Sequence, residues 1–205
     1  MKPIYSGPNF TKQVTMLKST IMDRLKRLEK KGESKEELDF NLTEEIYDTV
    51  GIFILRSFFG EPNVDAWPEM VTIYDDAGAK QTLSFSMAFR TVYRQTVEKQ
   101  GSFVRNFMLD PLTDWCLTPH ERRVKQNQNT IKQFLTEKLE KHAKWRKKNP
   151  ITGEQPILMA DAIKADDKFF DDDAAKLEHL VGAFYYLSLT TASAVCQLFY
   201  RAMTH

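Results

Sequence analysis

Two adjacent threonines, Thr190 and Thr191, lie within the longest apolar stretch of the chain, Ala174–His205. A threonine inside a helix often bonds back to a carbonyl of the preceding turn, and this pair would then have only a structural role. Alternatively, the two hydroxyls line a cavity and take part in proton delivery. The pair by itself leaves both interpretations open.

Other side chains that could do chemistry are scattered. The two cysteines, Cys116 and Cys196, have no plausible histidine partner, and we expect Cys196 to be a small core residue. None of the histidines belongs to a His-Glu-x-x-His motif, so we expect surface or half-buried positions for His120, His142, His179 and His205. Neither a Gly-x-Ser-x-Gly motif nor a phosphate-binding glycine loop occurs.

The stretch that carries the threonines is predicted to form one long helix, Ala174–His205. Its apolar residues recur at intervals of three and four, and Asp171 to Asp173 precede it, as suits a helix N-terminus. The second half is apolar almost all round, which is typical of a central core helix or a membrane span. Because Gln197 and Arg201 interrupt the apolar run, we expect burial within protein.

Further helices are expected on both sides of a loop-rich middle. Thr118, Pro119 and Glu121 form a strong start signal, with an N-cap, a proline at the first position and a glutamate at the third. A short helix from Pro68 to Tyr74 is also expected, and no run predicts a paired strand. The sequence therefore predicts an all-α fold in a single unit, 1–205, with helices over Phe10–Lys31, Asn41–Gly60, Thr82–Phe107, Pro119–Lys148 and Ala174–His205.

Charge and cysteine usage exclude some classes of protein. A net charge of +1 gives no reason to expect nucleic acid as a partner, and two cysteines provide no disulfide framework. No secretory signal opens the chain, so we expect an intracellular protein. The very basic helix Pro119–Lys148 favours a solvated face, with a membrane surface or an acidic partner as the alternative.

The order of these elements resembles the cytochrome P-450 family of haem-thiolate monooxygenases. The resemblance rests on a helix that ends in Phe58-Phe59-Gly60, a capped basic helix, an acidic loop, and a long helix with Thr190-Thr191-Ala192-Ser193. It covers the central portion of a full-length member. Lys2 to Phe10 is similar to the end of the family's C helix, and the D, E, F, G and I helices are matched by Phe10–Lys31, Asn41–Gly60, Thr82–Val104, Pro119–Lys148 and Ala174–His205.

This resemblance implies a cofactor, an activity and site residues. Complete relatives use haem iron and electrons from a reductase to insert one oxygen atom into a small apolar substrate. By the resemblance, Thr190 is the proton-relay hydroxyl and Thr191 lies beside it. Phe184, Tyr185 and Ser188 are candidates to line the substrate pocket by their position in the same helix.

The chain also departs from the family pattern. The family's I helix has Ala-Gly-x-(Asp/Glu)-Thr-Thr, whereas this chain has Tyr186-Leu187-Ser188-Leu189-Thr190-Thr191. Leu189 cannot relay a proton, and Tyr186-Leu187 should crowd the space for dioxygen. Since neither Glu-x-x-Arg nor the cysteine motif that supplies the axial thiolate occurs, we expect this chain alone to be inactive.

A non-catalytic function is the alternative. The bulky replacements before Thr190 suggest a filled site, as in an all-α interaction or scaffold subunit. In either case, a partner protein or the remainder of the domain should cover the helix Ala174–His205, because large exposed apolar patches mark interfaces.

Overall fold

The computed structural model describes residues 7–33, 41–60, 68–99, 117–151, 157–165 and 173–204. The described chain is mostly helical, with one two-stranded sheet. The elements are α1 (Gly7–Glu33), α2 (Leu42–Phe59), β1 (Met70–Tyr74), β2 (Lys80–Ser84), α3 (Phe85–Lys99), α4 (Pro119–Lys148), α5 (Met159–Ala165), α6 (Asp173–Tyr185), a π-helical turn (Tyr186–Thr190) and α7 (Thr191–Thr204).

Internal contacts divide the chain into two compact units. The first unit combines Met1–Pro68 with Leu135–His205, and the second is Glu69–Phe134. Helix α4 contributes its first half to the second unit and its second half to the first. The expectation of a single helical unit over 1–205 stays a prediction.

Helix α2 is the most buried helix of the first unit. At its start, the side chain of Asn41 accepts a hydrogen bond from the backbone N–H of Glu44, which supplies a partner for an otherwise unbonded donor. At its end, Gly60 has φ of 82° and donates its N–H to the carbonyl of Arg56, a conformation that favours glycine. Phe58 and Phe59, just before this turn, are almost completely buried.

Polar groups join α1 to α2. The guanidinium of Arg56 donates to the hydroxyl of Thr20 at 2.8 Å and lies 3.5 Å from the carboxylate of Asp23. One turn of α1 further on, Arg24 forms an ion pair with Glu45. Thr20 and Arg24 are buried, so the side of α1 that meets α2 is largely polar.

A β-hairpin opens the second unit, and it corrects two sequence predictions. Residues 70–74 pair antiparallel with residues 80–84, so the helix expected from Pro68 to Tyr74 and the absence of paired strands are both wrong. The helix expected from Thr82 begins instead at Phe85, directly after β2, and its expected end at Phe107 lies outside the described residues. Val71 and Ile73 are buried and alternate with exposed neighbours, as in a half-buried strand. In the turn, Gly78 has φ of 92°.

Helix α4 begins as its start signal predicts. The backbone N–H of Thr118 donates to the carboxylate of Glu121 at 2.7 Å, and the N–H of Glu121 donates back to the threonine hydroxyl at 3.3 Å. In the second unit, the amide of Asn127 bonds both the N–H and the carbonyl of Tyr74 at 2.8 Å. This side chain therefore pairs with the end of β1 as a neighbouring strand would.

Candidate functional site

The long predicted helix is irregular at the threonine pair. Helix α6 ends at Tyr185, a five-residue π-helical turn covers Tyr186–Thr190, and α7 begins at Thr191. The sequence predicts one uninterrupted helix here, so the turn is a correction. Single π-helical turns within α-helices are rare and occur frequently at functional sites.

One side of this irregular helix is buried in the first unit. Leu180, Phe184, Ser188 and Ala192, four residues apart, are each at most 3% exposed. The ring of Phe184 meets the ring of Phe58 edge-on, with 6.2 Å between centroids. The hydroxyl of Ser188 donates to the carbonyl of Phe184 at 2.6 Å, which satisfies a buried polar group locally.

A second polar contact fixes the start of α7. The hydroxyls of Ser193 and Tyr47 of α2 lie 2.9 Å apart. Together with the contact between Phe58 and Phe184, it attaches the helix to α2 on both sides of the π-helical turn. The irregular segment is therefore held at both ends.

The other side of the helix faces solvent. We define the hydroxyl face as Leu187, Thr190, Thr191, Ala194 and Leu198, all of which are exposed. Leu187 is 41% exposed and Leu198 is 66% exposed. The face combines two hydroxyl-bearing residues with apolar neighbours, and the exposed polar residues Gln197 and Arg201 lie on the same side of α7.

Four of the five residues predicted for the site are described with their side chains, and these four lie on different sides of the helix. Thr190 and Thr191 are exposed on the hydroxyl face, whereas Phe184 and Ser188 are buried against the rest of the first unit. The side chain of Tyr185 lies outside the described part of the structure. The structure therefore brings the two threonines together and directs Phe184 and Ser188 into the core.

The hydroxyl face offers apolar surface and hydroxyl groups, and none of its five side chains is a usual ligand of haem iron. Leu187 and Ala194 offer apolar surface, and Thr190 and Thr191 add hydroxyls between them. A haem-thiolate protein also needs a cysteine as the axial ligand of the iron. Cys196 is half-buried and is not part of the hydroxyl face. Within the described ranges, no cluster of three or more His, Cys, Asp or Glu side chains could hold a metal ion.

A buried charged cluster lies elsewhere in the first unit, where the sequence suggests only a half-buried histidine. Nε2 of His142 lies 2.8 Å from Oδ1 of Asp161, and its Nδ1 lies 3.1 Å from the carbonyl oxygen of Phe59. The guanidinium of Arg146 donates to both oxygens of Asp161, at 2.9 and 2.5 Å. We call His142, Arg146 and Asp161 the aspartate cluster.

The environment of Asp161 favours its ionised form. Burial by itself raises the pKa of this carboxyl group, but hydrogen bonds from Arg146 and His142 and the charges of both partners outweigh it. The pKa of Asp161 consequently lies well below its usual range. The carboxylate therefore accepts hydrogen bonds and donates none.

The geometry of the aspartate cluster indicates a structural role and not a catalytic one. Both ring nitrogens of His142 face acceptors, a carboxylate and a carbonyl, so neither is left to take a proton from a substrate. The cluster connects α4 to α5 and to the end of α2. The one sequence signal was the pair His142 and Arg146, four residues apart on α4; the partner in α5 follows from tertiary contacts alone.

Comparison of the chain with known protein families, curated proteins and solved structures gives no match. The resemblance to cytochrome P-450 proteins therefore stays a prediction.

The basic helix α4 keeps its apolar residues inside. Val124 and Ile131 are buried within the second unit, and Leu135 is buried within the first. Among the described residues, no helix is both long and apolar enough to cross a membrane. Any contact of α4 with a membrane surface would therefore depend on its charges, and that partner stays a prediction.

Proposed function

We propose that this chain is a central helical portion of a cytochrome P-450-like haem monooxygenase, in which the hydroxyl face lies against the haem. Complete relatives act on small apolar substrates. Because the motif for the thiolate ligand is absent, the chain by itself neither binds haem as a thiolate nor oxidises substrate.

The π-helical turn that ends at Thr190 is the observation that carries the proposal. A helix with an ordinary structural role would be expected to continue through this position with regular α-helical bonding. Instead, its regular bonding changes at the pair and both threonines are exposed. This supports a functional role for the two residues.

Haem, when bound, would supply oxygen activation by its iron. The hydroxyl of Thr190 would relay a proton toward the reacting side of the site, accepting one from a water molecule as it gives up its own, and Thr191 would stand beside it. Leu187 and Ala194 would exclude water from the same side. Leu189 cannot pass a proton, so proton delivery depends on the hydroxyls without an acidic residue next to them.

Carbon monoxide difference spectra test this function. The native product that contains this chain, isolated from its source cells, should show the thiolate band of the family after reduction. The chain produced alone and supplied with haem should not. A native product without haem would overturn the proposal, and a thiolate band from the chain alone would overturn the claim that it is inactive by itself.

Exposed apolar residues favour a second candidate function, a non-catalytic interaction subunit. Leu198 and Tyr200 of α7 are each 66% exposed and Leu187 is 41% exposed. In this function, a partner chain would cover the hydroxyl face instead of a haem. The chain produced alone should then be oligomeric or aggregated on a sizing column, and a compact monomer would count against this candidate.

A further inference from the structure

The spacing of residues along the long helix does not match the side that the structure buries. Residues recur at intervals of three and four from Leu180 to Leu198, which in a regular α-helix places them all on one side. The structure buries this series up to Phe184, but Leu187 and Thr191 are exposed. We define the regular stripe as Leu180, Phe184, Leu187, Thr191, Val195 and Leu198.

The π-helical turn accounts for this change of side. Its backbone hydrogen bonds reach back five residues instead of four, so it holds one residue more than the α-helical turn it replaces. One residue corresponds to about 100° of rotation, so α7 is rotated by about that angle relative to a regular continuation of α6. Ser188 and Ala192 consequently stay in line with Phe184 and are buried, at 3% and 0% exposure.

The same sequence fits a second register, without the π-helical turn. In this regular register, α7 rotates by one residue, so Thr191 takes the place of Ala192. The regular stripe then faces α2, against which both the turn and α7 pack. The contact between Ser193 and Tyr47 is lost in this arrangement. The observed arrangement, with the turn, is called the π register below.

The two registers have opposing contributions to their stability. In the π register, the hydroxyl of Ser188 donates to the carbonyl of Phe184, and the hydroxyls of Ser193 and Tyr47 meet. The regular register restores uniform α-helical bonding and buries more apolar surface of Leu187, which is 41% exposed in the π register. Because these contributions oppose each other, a single substitution can decide which register is populated.

We propose that the long helix changes register at the π-helical turn, and that this change presents or hides the hydroxyl face. In the π register Thr191 is at the surface, and in the regular register it faces α2. A discrete step of a packed helix past its neighbour is one of the ways in which proteins switch between two states. The register change itself needs no haem, but its role in regulating the hydroxyl face rests on the proposed function.

Thiol labelling of the full chain tests which register is populated. Thr191→Cys places a thiol at a position that is exposed in the π register and buried in the regular one. Mass spectrometry identifies the residue labelled by a maleimide, so Cys116 and Cys196 stay in place. Each rate is divided by the rate of the same variant unfolded in urea, which removes the effect of neighbouring side chains on the reactivity of the thiol.

Two further changes, each added to Thr191→Cys, separate the registers. Ala192→Gln puts a large polar side chain at a position that is 0% exposed in the π register, so the regular register is favoured and labelling should slow by about tenfold or more. Deletion of Leu187 removes the additional residue of the turn and leaves α7 in its observed orientation, so labelling should change by less than about twofold. Circular dichroism and a cooperative urea transition check that both variants fold.

The outcomes decide the proposal in either direction. It is overturned if Ala192→Gln leaves labelling unchanged, accelerates it or unfolds the chain, because no second register is then available to the helix. Unfolding or slow labelling after deletion of Leu187 would overturn the claim that the turn holds one additional residue. Since the experiment needs no haem, the proposal can fail while the proposed function holds, and the reverse is also true.

Discussion

The aspartate cluster and the hydroxyl face differ in what their polar groups contact. Asp161 accepts hydrogen bonds from Arg146 and the backbone N–H of Leu158 and pairs with His142, and both nitrogens of His142 face acceptors. Thr190 and Thr191 are exposed beside an irregular helical turn. A histidine beside an aspartate is the more familiar catalytic pair, yet here its groups are committed to packing helices. The comparison shows that the charged groups of the aspartate cluster are held by partners inside the first unit, whereas both threonines lie at the surface.

The largest expected change in stability comes from substitutions on the two sides of the long helix. Phe184→Ala should lower the free energy of unfolding by about 3–5 kcal/mol, because it removes a fully buried ring that contacts Phe58. Leu187→Ala, on the hydroxyl face, is the control and should cost well under half as much. Urea denaturation measures both, and equal costs would contradict the assignment of buried and exposed sides.

The next effect tests the aspartate cluster. Asp161→Asn should lower the free energy of unfolding by about 3 kcal/mol, because Arg146 and His142 lose the carboxylate that compensates their burial. Asp23→Asn is the matched control. The carboxylate of Asp23 is 43% exposed and 3.5 Å from Arg56, so its loss should cost less than about 1 kcal/mol. If the two substitutions cost the same, the cluster does not hold the helices together.

Lowering the pH should also reveal the contribution of Asp161 to stability, in a graded way. The pKa of Asp161 is lowered in the folded protein, so its contribution to stability is fully present above about pH 4 and is lost as the pH falls toward the folded-state pKa. The urea midpoint of the wild type should therefore fall between pH 5 and pH 3 more steeply than that of Asp161→Asn. Parallel pH profiles would show that Asp161 does not couple stability to pH.

The smallest expected effect concerns the threonines. Thr190→Val and Thr191→Val should each change the free energy of unfolding by no more than about 0.5 kcal/mol, because both residues are exposed. Ser188→Ala, at a buried position on the same turn, is the comparison and should cost more. A large loss of stability for either threonine variant would indicate that its hydroxyl is structural.

Local sequence signals predicted the elements that depend on local chemistry. Helix α4 begins with the capping interactions that Thr118 and Glu121 predict, and α2 is capped by Asn41, the first residue of the predicted range. The hairpin was missed because Met70–Tyr74 is too short for periodicity to distinguish a strand from a helix. Its pairing with β2 also depends on a turn through Gly78, where φ is 92°.

The candidate site was predictable only in part. The apolar spacing of the long helix and the position of the threonine pair were visible in the sequence. The π-helical turn was not, because no proline or glycine marks Tyr186–Thr190. The sequence also did not predict which side of the helix is buried. By residue type, both Phe184 and Thr191 are compatible with a core position, and tertiary packing buries the first and exposes the second.

A histidine placed on the hydroxyl face tests the central claim most directly. If haem lies against the hydroxyl face in the native product, as proposed, Thr191→His would offer an imidazole as a nitrogen ligand for the iron, which would change the haem absorption spectrum. Tyr200→His, on an exposed position nine residues further along α7, is the control and should leave the spectrum unchanged. A changed spectrum for Thr191→His and an unchanged one for Tyr200→His are the results expected if the hydroxyl face lies against the haem. An unchanged spectrum for Thr191→His, or a native product that contains no haem, would contradict it.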